Sequence, residues 1–503
     1  MEKFDESKYY DAYKRVRNKF RNHDSQLLIE GCLRYLHKPA GDKLDQLQKQ
    51  PWLVLLLIKW ILLDEQSFMP GKKSPTDVEL MEVLQSVHDL GSSIRLPTQF
   101  DHHRLFFRSI AFQQFIYQRE FSLSHISRQI ALFSALPDNH LIKTQFKLLT
   151  GLDVNRFLEL SLALLARFIG RDNHSISAKW FVSLGNEYSQ QEIQLFLSAL
   201  SHSLEEIQLI LKNRDGRRRL ASEYYEQTPF IEFPLIRVGP EFICIDQNIL
   251  YRCVEHFVYD KLRLWDAAKF MDKFGRIFES YIERAIQYTG LPYCNEAEIQ
   301  NVIGITGNLI DFVVADGDAN IFIDAKAVEM AYLGKVSHLA DVVRGKTENS
   351  ILKAIEQAHD VMARMQDIQI NHECLQSRSK NYLIVVTFKE LYVGNGQTFY
   401  EAIAKNKIDE IYARYAGKQT IDLENMYFLA IDEFEIFVEA VHNKKIGLVE
   451  GIEKAKADDS NFNTMKFDFS QHIASWNFKS ELPEYLLEIF NKVYSKYKTI
   501  LSP

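Results

Sequence analysis

The chain has 503 residues, too many for one ordinary hydrophobic core, so two or three domains are expected. Apolar residues make up 46% of the sequence and charged residues 25%, a balance typical of globular rather than disordered proteins. The net charge of -7 excludes a surface that is basic throughout. Any contact with nucleic acid must therefore come from a local basic patch or from a partner subunit.

The five cysteines are scattered and include no CxxC pair, which indicates neither a zinc site nor a disulfide framework and fits a reducing cytoplasm. The most hydrophobic segment, residues 52–63, is shorter than the ~20 residues that span a bilayer. The charged residues 1–20 do not resemble a targeting signal. We therefore expect a cytoplasmic protein with no membrane contact.

The first half of the sequence has the apolar spacing of helices. From about residue 8 to residue 213, apolar residues recur mostly at i, i+3 and i+4. Ser189 followed by Glu192 is a capping-box signature at the start of one helix. Residues 1–225 are thus predicted to form a mostly α-helical domain that selects substrate, binds a partner protein or forms a homodimer.

An arginine-rich polar segment, residues 213–219, interrupts this pattern. It is either a solvated linker or a strip of nucleic-acid contacts, because Arg217, Arg218 and Arg219 are suited to pairing with phosphate oxygens. Residues 226–264 are predicted to be a connecting segment with short strands and a helix. Residues 265–503 then form the last domain, with a C-terminal helical extension.

Two runs rich in Ile, Val and Phe, residues 309–315 and 321–327, flank a short stretch of Asp, Gly and Asn. This pattern predicts a β-hairpin. A register that pairs Ala315 with Asn320 would set Asp311 opposite Asp324, and a slip of one residue would separate them. Residues two apart on a strand share a face, so Asp324 and Lys326 project together.

Two carboxylates on one face form a hard oxygen site that suits Mg²⁺ or Mn²⁺. Such an ion polarises a phosphoryl oxygen and lowers the pKa of bound water, and a lysine beside it orients the water or offsets developing charge. The alternative is an exposed hairpin in which Asp324 and Lys326 form a weak surface ion pair. The apolar neighbours of these residues argue against that alternative.

The pattern Gly307-x-x-x-Asp311, a hairpin, then Asp324-x-Lys326 resembles the PD-(D/E)XK nuclease superfamily over about residues 265–390, with Ile310 in place of the namesake proline. The resemblance implies an α/β restriction-endonuclease-like domain, a mixed sheet flanked by helices in the order αβββαβ. The matching segments are expected to be a helix at 270–288, a strand at 296–305, a helix at 347–365 and a strand at 381–388. A further strand is expected at 426–437 and a terminal helix at 485–500.

The resemblance also implies roles for individual residues. Asp311 and Asp324 bind the metal, Lys326 positions the water, and a glutamate on the first helix assists at the metal. Glu279 is the candidate for that glutamate, and Glu283, one turn on, is the alternative. The carbonyl of Ala325 is a further candidate metal ligand.

Candidate nucleic-acid contacts follow the hairpin. Residues 329–346 are expected to be a long loop, which either grips the phosphate backbone or is merely solvated. Its basic residues are Lys335, Arg344 and Lys346. On the helix that follows, Lys353 and Gln357 share one side. Some members of the superfamily use a glutamine there, although the tyrosine that accompanies it is Val361 here.

These observations predict a Mg²⁺- or Mn²⁺-dependent deoxyribonuclease, a phosphodiester hydrolase. Analogy with large two-part nucleases offers bacterial defence against phage or foreign DNA as its setting. RNA as the substrate, and endonuclease against exonuclease action, stay open. Two other functions are also open: a nucleic-acid-binding module without turnover, and a scaffold subunit of a larger nuclease complex.

Overall fold

A computed structural model of the chain describes residues 6–39, 41–93, 102–118, 122–168, 173–214, 219–304, 307, 309–368, 370, 372–477 and 481–501. The chain divides into two compact units. The first comprises Met1–Phe100, Ser109–Trp265 and Ile489–Pro503, and the second comprises Asp101–Arg108 and Asp266–Glu488. Among the described helices, none has the length and apolar character needed to cross a bilayer.

The first unit is mostly helical, as the apolar spacing predicts, and the capping box of Ser189 and Glu192 is present. The helices up to the end of this unit are α1 (Glu6–Phe20), α2 (Ser25–His37), α3 (Lys43–Gln48), α4 (Pro51–Leu63), α5 (Asp77–Leu90), α6 (His103–Gln114), α7 (Ser124–Phe133), α8 (Leu141–Thr150), α9 (Val154–Phe168), α10 (Gln190–Ala199), α11 (Leu204–Arg214) and α12 (Gln247–Trp265). Short 3₁₀ helices lie at Gly91–Ser93, Phe115–Tyr117, Ala178–Leu184, Ala221–Tyr225 and Pro229–Glu232.

A small mixed sheet completes the first unit. Its strands are β1 (Ser175–Ser177), β2 (Ser201–His202), β3 (Leu235–Val238) and β4 (Glu241–Cys244), in the spatial order β1-β4-β3-β2. β2 and β3 are parallel, and the other neighbours are antiparallel. The short strands that the sequence predicts in residues 226–264 are β3 and β4. The sequence does not predict β1 and β2, because strands of two or three residues are too short to show an alternating pattern.

The prediction of a separate connecting segment at 226–264 is wrong, because these residues belong to the first unit. Lys59 of α4 forms a buried ion pair with Glu226, with Nζ 2.7 Å from a carboxylate oxygen. Trp60 of α4 donates its indole N–H to Glu223 at 2.9 Å. These contacts hold the segment against the helical core, and the boundary falls instead between Trp265 and Asp266.

The second unit surrounds a sheet with helices. Its α-helices are α13 (Ala267–Thr289), α14 (Glu296–Ile303), α15 (Tyr332–Val336), α16 (Ala340–Thr347), α17 (Lys353–Asp367), α18 (Gly396–Phe399), α19 (Lys405–Arg414), α20 (Ile431–His442), α21 (Leu448–Asp459), α22 (Phe469–Ser475) and α23 (Glu484–Leu501). Two π-helical turns, Glu348–Leu352 and Tyr400–Ala404, join α16 to α17 and α18 to α19, and a 3₁₀ turn lies at Leu423–Asn425. The end of α23, from Ile489, belongs to the first unit, so the second is shorter than the predicted 265–503.

The sheet of the second unit has five strands in sequential order. They are β5 (Tyr293–Asn295), β6 (Phe312–Asp316), β7 (Ala319–Lys326), β8 (Lys380–Thr387) and β9 (Met426–Ala430). β5, β6 and β7 are antiparallel neighbours, whereas β7, β8 and β9 run parallel. Because β7 lies between β6 and β8, most of its residues are buried on both faces, and it carries the predicted site at its C-terminal end.

Three predictions about the elements around this sheet are wrong. Residues 296–303 form helix α14, not a strand, because Asn295 and Glu298 make a capping box; the strand before the hairpin is β5. The expected loop at 329–346 contains α15 and α16. The expected strand at 426–437 stops at Ala430, where Glu433 caps the start of α20 by accepting the Ala430 amide proton at 2.7 Å.

Candidate functional site

The hairpin of β6 and β7 has the register that the sequence predicts. Ala315 pairs with Asn320 and Phe312 with Ile323, so Asp311 and Asp324 lie opposite each other at the open end. Gly317 in the connecting turn has a φ of 59°, a conformation that glycine adopts without strain. Asp311 Oδ2 accepts the backbone N–H of Ala325 at 2.7 Å, which fixes the Asp311 carboxylate across the hairpin.

Lys326 is held in place on both sides. Its Nζ lies 2.5 Å from Oδ2 of Asp324 and donates to Oε1 of Gln357 at 3.3 Å. Gln357 is buried on α17, and its Nε2 donates to the carbonyl of Leu309 at 2.7 Å. Gln357 therefore bridges the lysine to the segment that leads into Asp311. Both ends of the Gln357 side-chain amide are used inside the protein, and its contact with nucleic acid stays a prediction.

Three carboxylates meet beside the hairpin. Glu279 of α13, Glu296 of α14 and Asp311 each offer an oxygen, and these oxygens lie within 4.8 Å of one another. Glu296 also accepts the backbone N–H of Leu309 at 3.0 Å. Glu296 is not among the predicted site residues, because the sequence pattern predicts a strand at 296–305. The capping-box pattern of Asn295 and Glu298 is the signal that would have put Glu296 in the first turn of a helix.

The choice between the two glutamates of α13 is decided by their neighbours. Glu279 is half-buried within the carboxylate cluster. Glu283, one turn later, accepts hydrogen bonds from the hydroxyl of Tyr293 at 3.2 Å and from the side-chain amide of Asn295 at 3.1 Å. Glu283 thus holds the edge strand β5, and Glu279 is the one placed to share a ligand with Asp311.

The cluster holds more negative charge than its surroundings offset. Burial, and then the charge of Asp324, raise the pKa of Asp311 well above its usual range. Burial also raises the pKa of Asp324, although Lys326 opposes this. Partial burial and the charge of Glu296 raise the pKa of Glu279. A bound cation would favour the ionised form of these carboxyl groups and would therefore lower their pKa values again.

Asp324 is the most deeply buried acid of the site. Its carboxyl group forms an ion pair with Lys326 and lies within hydrogen-bond reach of the Asp311 side chain. Two buried carboxylates this close are costly unless a proton or a cation offsets their charge. The oxygens of Glu279, Glu296 and Asp311 suit a hard divalent cation such as Mg²⁺ or Mn²⁺. Asp324 is not part of that three-oxygen cluster, and its role as a metal ligand stays a prediction.

The other candidate residues lie outside this cluster. Ala325 reaches the site through its amide; its carbonyl as a metal ligand stays a prediction. Lys335 and Lys353 are half-exposed on α15 and α17, and Lys346 is exposed on α16. Arg344 forms an ion pair with Asp341 at 2.8 Å. Whether these four basic residues contact nucleic acid stays a prediction.

The proposed arginine strip is not supported at its one described member. Arg219 is buried and lies 3.3 Å from the carboxylate of Glu223, so it does not face a ligand in solution. Arg217 and Arg218 lie outside the described residues.

Comparison with known proteins adds no assignment. No protein family, no curated protein and no solved structure matches this chain. Its function must therefore be argued from the carboxylate–lysine site itself.

Proposed function

We propose that the second unit is a metal-dependent nuclease that hydrolyses phosphodiester bonds, with DNA as the expected substrate. The observation that carries the proposal is the meeting of two aspartates and a lysine at the end of one hairpin, with two glutamates from neighbouring helices. A structural ion pair would need one acid for the lysine. This site has four acids around one lysine, and burial raises the pKa of the two aspartates among them, Asp311 and Asp324.

The residues fit a hard divalent ion. Asp311, Glu279 and Glu296 would hold it, and Asp324 lies opposite Asp311 and is paired with Lys326. A Mg²⁺ or Mn²⁺ ion held by these residues would supply the Lewis acid that polarises a phosphoryl oxygen and activates a water molecule. The position of Asp311 is set by the backbone of Ala325, and that of Glu296 by the backbone of Leu309. The carboxylates are therefore held in place before any ligand arrives, which lowers the reorganisation cost of binding.

Lys326 contributes a fixed positive charge. Its side chain is 16% exposed, and Asp324 and Gln357 hold the position of its ammonium group. There it can donate a hydrogen bond to a phosphate oxygen and offset the negative charge that builds up as the phosphodiester is attacked. A preoriented donor of this kind acts mainly on the transition state, where that charge is greatest.

The order of elements around the site supports the same proposal. Helix α13 is followed by β5, β6 and β7, then by α17 and β8. This is the αβββαβ order that the resemblance to PD-(D/E)XK nucleases implies. In this chain α14 is inserted between β5 and β6, and α15 and α16 between β7 and α17. The insertion of α14 brings Glu296, a carboxylate outside the sequence motif.

The test is cleavage by the purified full-length protein. Supercoiled plasmid, linear duplex, single-stranded DNA and RNA are incubated with Mg²⁺, with Mn²⁺ and with EDTA. We expect metal-dependent cleavage, and EDTA should abolish it. The variants Asp324→Asn and Lys326→Ala should each reduce the cleavage rate by about 100-fold or more. The pattern of products separates endonuclease from exonuclease action.

Lys380→Ala is the matched control, since Lys380 is an exposed lysine at the opposite end of the β7–β8 pair, joined to Asp318 in a surface ion pair. Its cleavage rate should equal that of the wild type. Cleavage that persists in Lys326→Ala or in EDTA would overturn the proposal. Metal-independent binding of nucleic acid without cleavage in any condition would favour the binding-module alternative instead.

A further inference from the structure

A second group of potential metal ligands lies at the edge of the same sheet. It consists of Cys294 on the edge strand β5, and His372 and Cys374 in the segment that joins α17 to β8. Both cysteines are buried and free, with side chains 1% and 4% exposed, and the histidine is half-buried. The absence of a CxxC pair predicts no zinc site, but that pattern covers only ligands close together in the sequence, whereas these three come from distant segments.

The distances within this group match tetrahedral coordination. The two Sγ atoms and one imidazole nitrogen lie within 4.8 Å of one another, and Cys294 Sγ is 3.6 Å from Nδ1 of His372. Zinc bonds of about 2.3 Å to sulfur and about 2.0–2.1 Å to nitrogen place two ligand atoms about 3.6 Å apart at a tetrahedral angle. The protein thus holds this sulfur and this nitrogen at the separation that one zinc ion requires.

The hydrogen bonding of His372 also favours the neutral tautomer that can bind a metal through Nδ1. The backbone N–H of Cys374 points to Nδ1 of His372 at 3.3 Å. An amide can only donate, so Nδ1 carries the lone pair that a neutral imidazole uses to bind a metal, and the same nitrogen lies 3.6 Å from Cys294 Sγ. A contact of 3.3 Å is weak enough for a metal ion to replace it.

We infer that Cys294, His372 and Cys374 form a binding site for a soft or borderline divalent cation, Zn²⁺ above all, separate from the carboxylate site. Thiolate and imidazole ligands favour zinc over Mg²⁺, whereas the all-oxygen cluster favours the reverse. With three protein ligands, a water molecule would complete a four-coordinate site.

The expected role of the ion is to fasten the edge of the sheet. β5 is only three residues long, and one of its sides has no neighbouring strand in the five-stranded sheet. The segment of His372 is otherwise held by Arg378, which donates to Asn320 of β7 at 2.5 Å and to the carbonyl of Glu373 at 2.6 Å. A metal bond from Cys294 to this segment would join β5 directly to the connection into β8, and binding energy at a folded-state site adds to stability.

The experiment measures metal in the full-length protein, purified under reducing conditions from zinc-supplemented culture. Elemental analysis after gel filtration in excess Mg²⁺ should find about one zinc ion per chain. Replacement of zinc by Co²⁺ should produce the visible bands of tetrahedral cobalt and a near-ultraviolet thiolate-to-cobalt band. Removal of zinc should shift the thermal unfolding transition downwards.

The variants Cys294→Ser and Cys374→Ser should each lose zinc and the thiolate-to-cobalt band. Cys253→Ser, at a buried cysteine of α12 in the first unit, is the matched control and should keep both. His372→Ala serves as the second variant in case a buried serine prevents folding, since the histidine is only half-buried. It should fold, as judged by circular dichroism, and bind zinc more weakly.

Three results would overturn the inference. The first is wild-type protein that retains no zinc and gives no thiolate-to-cobalt band. The second is a Cys294→Ser/Cys374→Ser double variant that retains zinc, which would place the ion at the carboxylates or elsewhere. The third is a disulfide between the two cysteines in wild-type protein that binds no metal after reduction. Failure of the nuclease assay would not affect any of these readouts.

Discussion

Glu296→Gln should make the metal-free protein more stable, which is unusual for a substitution in a folded core. The glutamine keeps the size of the side chain and can still accept the backbone N–H of Leu309, the contact that Glu296 makes at 3.0 Å. What it removes is one negative charge from a cluster in which three carboxylate oxygens lie within 4.8 Å. Without a cation, that charge opposes folding.

The size of the effect follows from the spacing of the charges. Two unit charges at the outer limit of 4.8 Å repel by about 3.5 kcal/mol at an effective dielectric constant of about 20, and by about 0.9 kcal/mol in bulk water. Glu279 and Glu296 are half-buried, so their repulsion lies between these limits. We therefore expect Glu296→Gln to stabilise the second unit by about 1–3 kcal/mol in EDTA.

The assay is urea unfolding, with hydrogen exchange of peptides from residues 266–488 to isolate the second unit. In saturating Mg²⁺ the wild type should be more stable than Glu296→Gln, because the wild type gains more binding energy from the metal. Glu348→Gln, at an exposed glutamate outside the cluster, should change stability by less than about 0.5 kcal/mol. The proposed charge repulsion would be contradicted if Glu296→Gln is less stable than the wild type in EDTA. It would also be contradicted if Mg²⁺ stabilises the two proteins equally.

Three further predictions use the same unit. Glu279→Gln should lower the rate of metal-dependent cleavage by about 10–100-fold, whereas Glu283→Gln, which holds β5, should leave it nearly unchanged. Gln357→Ala should lower kcat by about 10-fold with KM unchanged, because it releases Lys326 without touching substrate; an effect on KM alone would contradict this role. Burial lowers the pKa of His338 to about 4, so the folded state binds fewer protons than the unfolded state. Stability should therefore fall by about 2–3 kcal/mol as the pH drops from about 6.5 to 4, and His338→Gln, followed by urea unfolding across that range, should lack this part of the loss.

The hairpin that carries the site could be predicted from the sequence. Asp316, Gly317 and Asp318 make a short turn between two apolar runs, and a short turn fixes which residues pair. Once the register is fixed, the alternation of side chains places Asp324 and Lys326 on one face. The helix of Glu279 was also predictable, since its apolar stripe is long and regular.

Elements with short or mixed patterns could not be predicted in the same way. β1 and β2 have three and two residues and exist because β4 and β3 offer them hydrogen bonds. The eight residues of α14 fit the apolar period of a strand as well as that of a helix, and the capping box decides that they form a helix. The boundary between the units was misplaced because Glu223 and Glu226 find buried partners on α4, far away in the chain.

The sequence alone predicts the hairpin, the pairing of Asp311 with Asp324 and the lysine beside them, because these depend on neighbours within one short stretch of chain. The tertiary structure adds Glu296 to the site, brings Gln357 into contact with Lys326, and places Cys294 beside His372 and Cys374. These contacts depend on how helices and loops pack across the sheet. Packing depends on the sum of many weak contacts between distant residues, which no local pattern records.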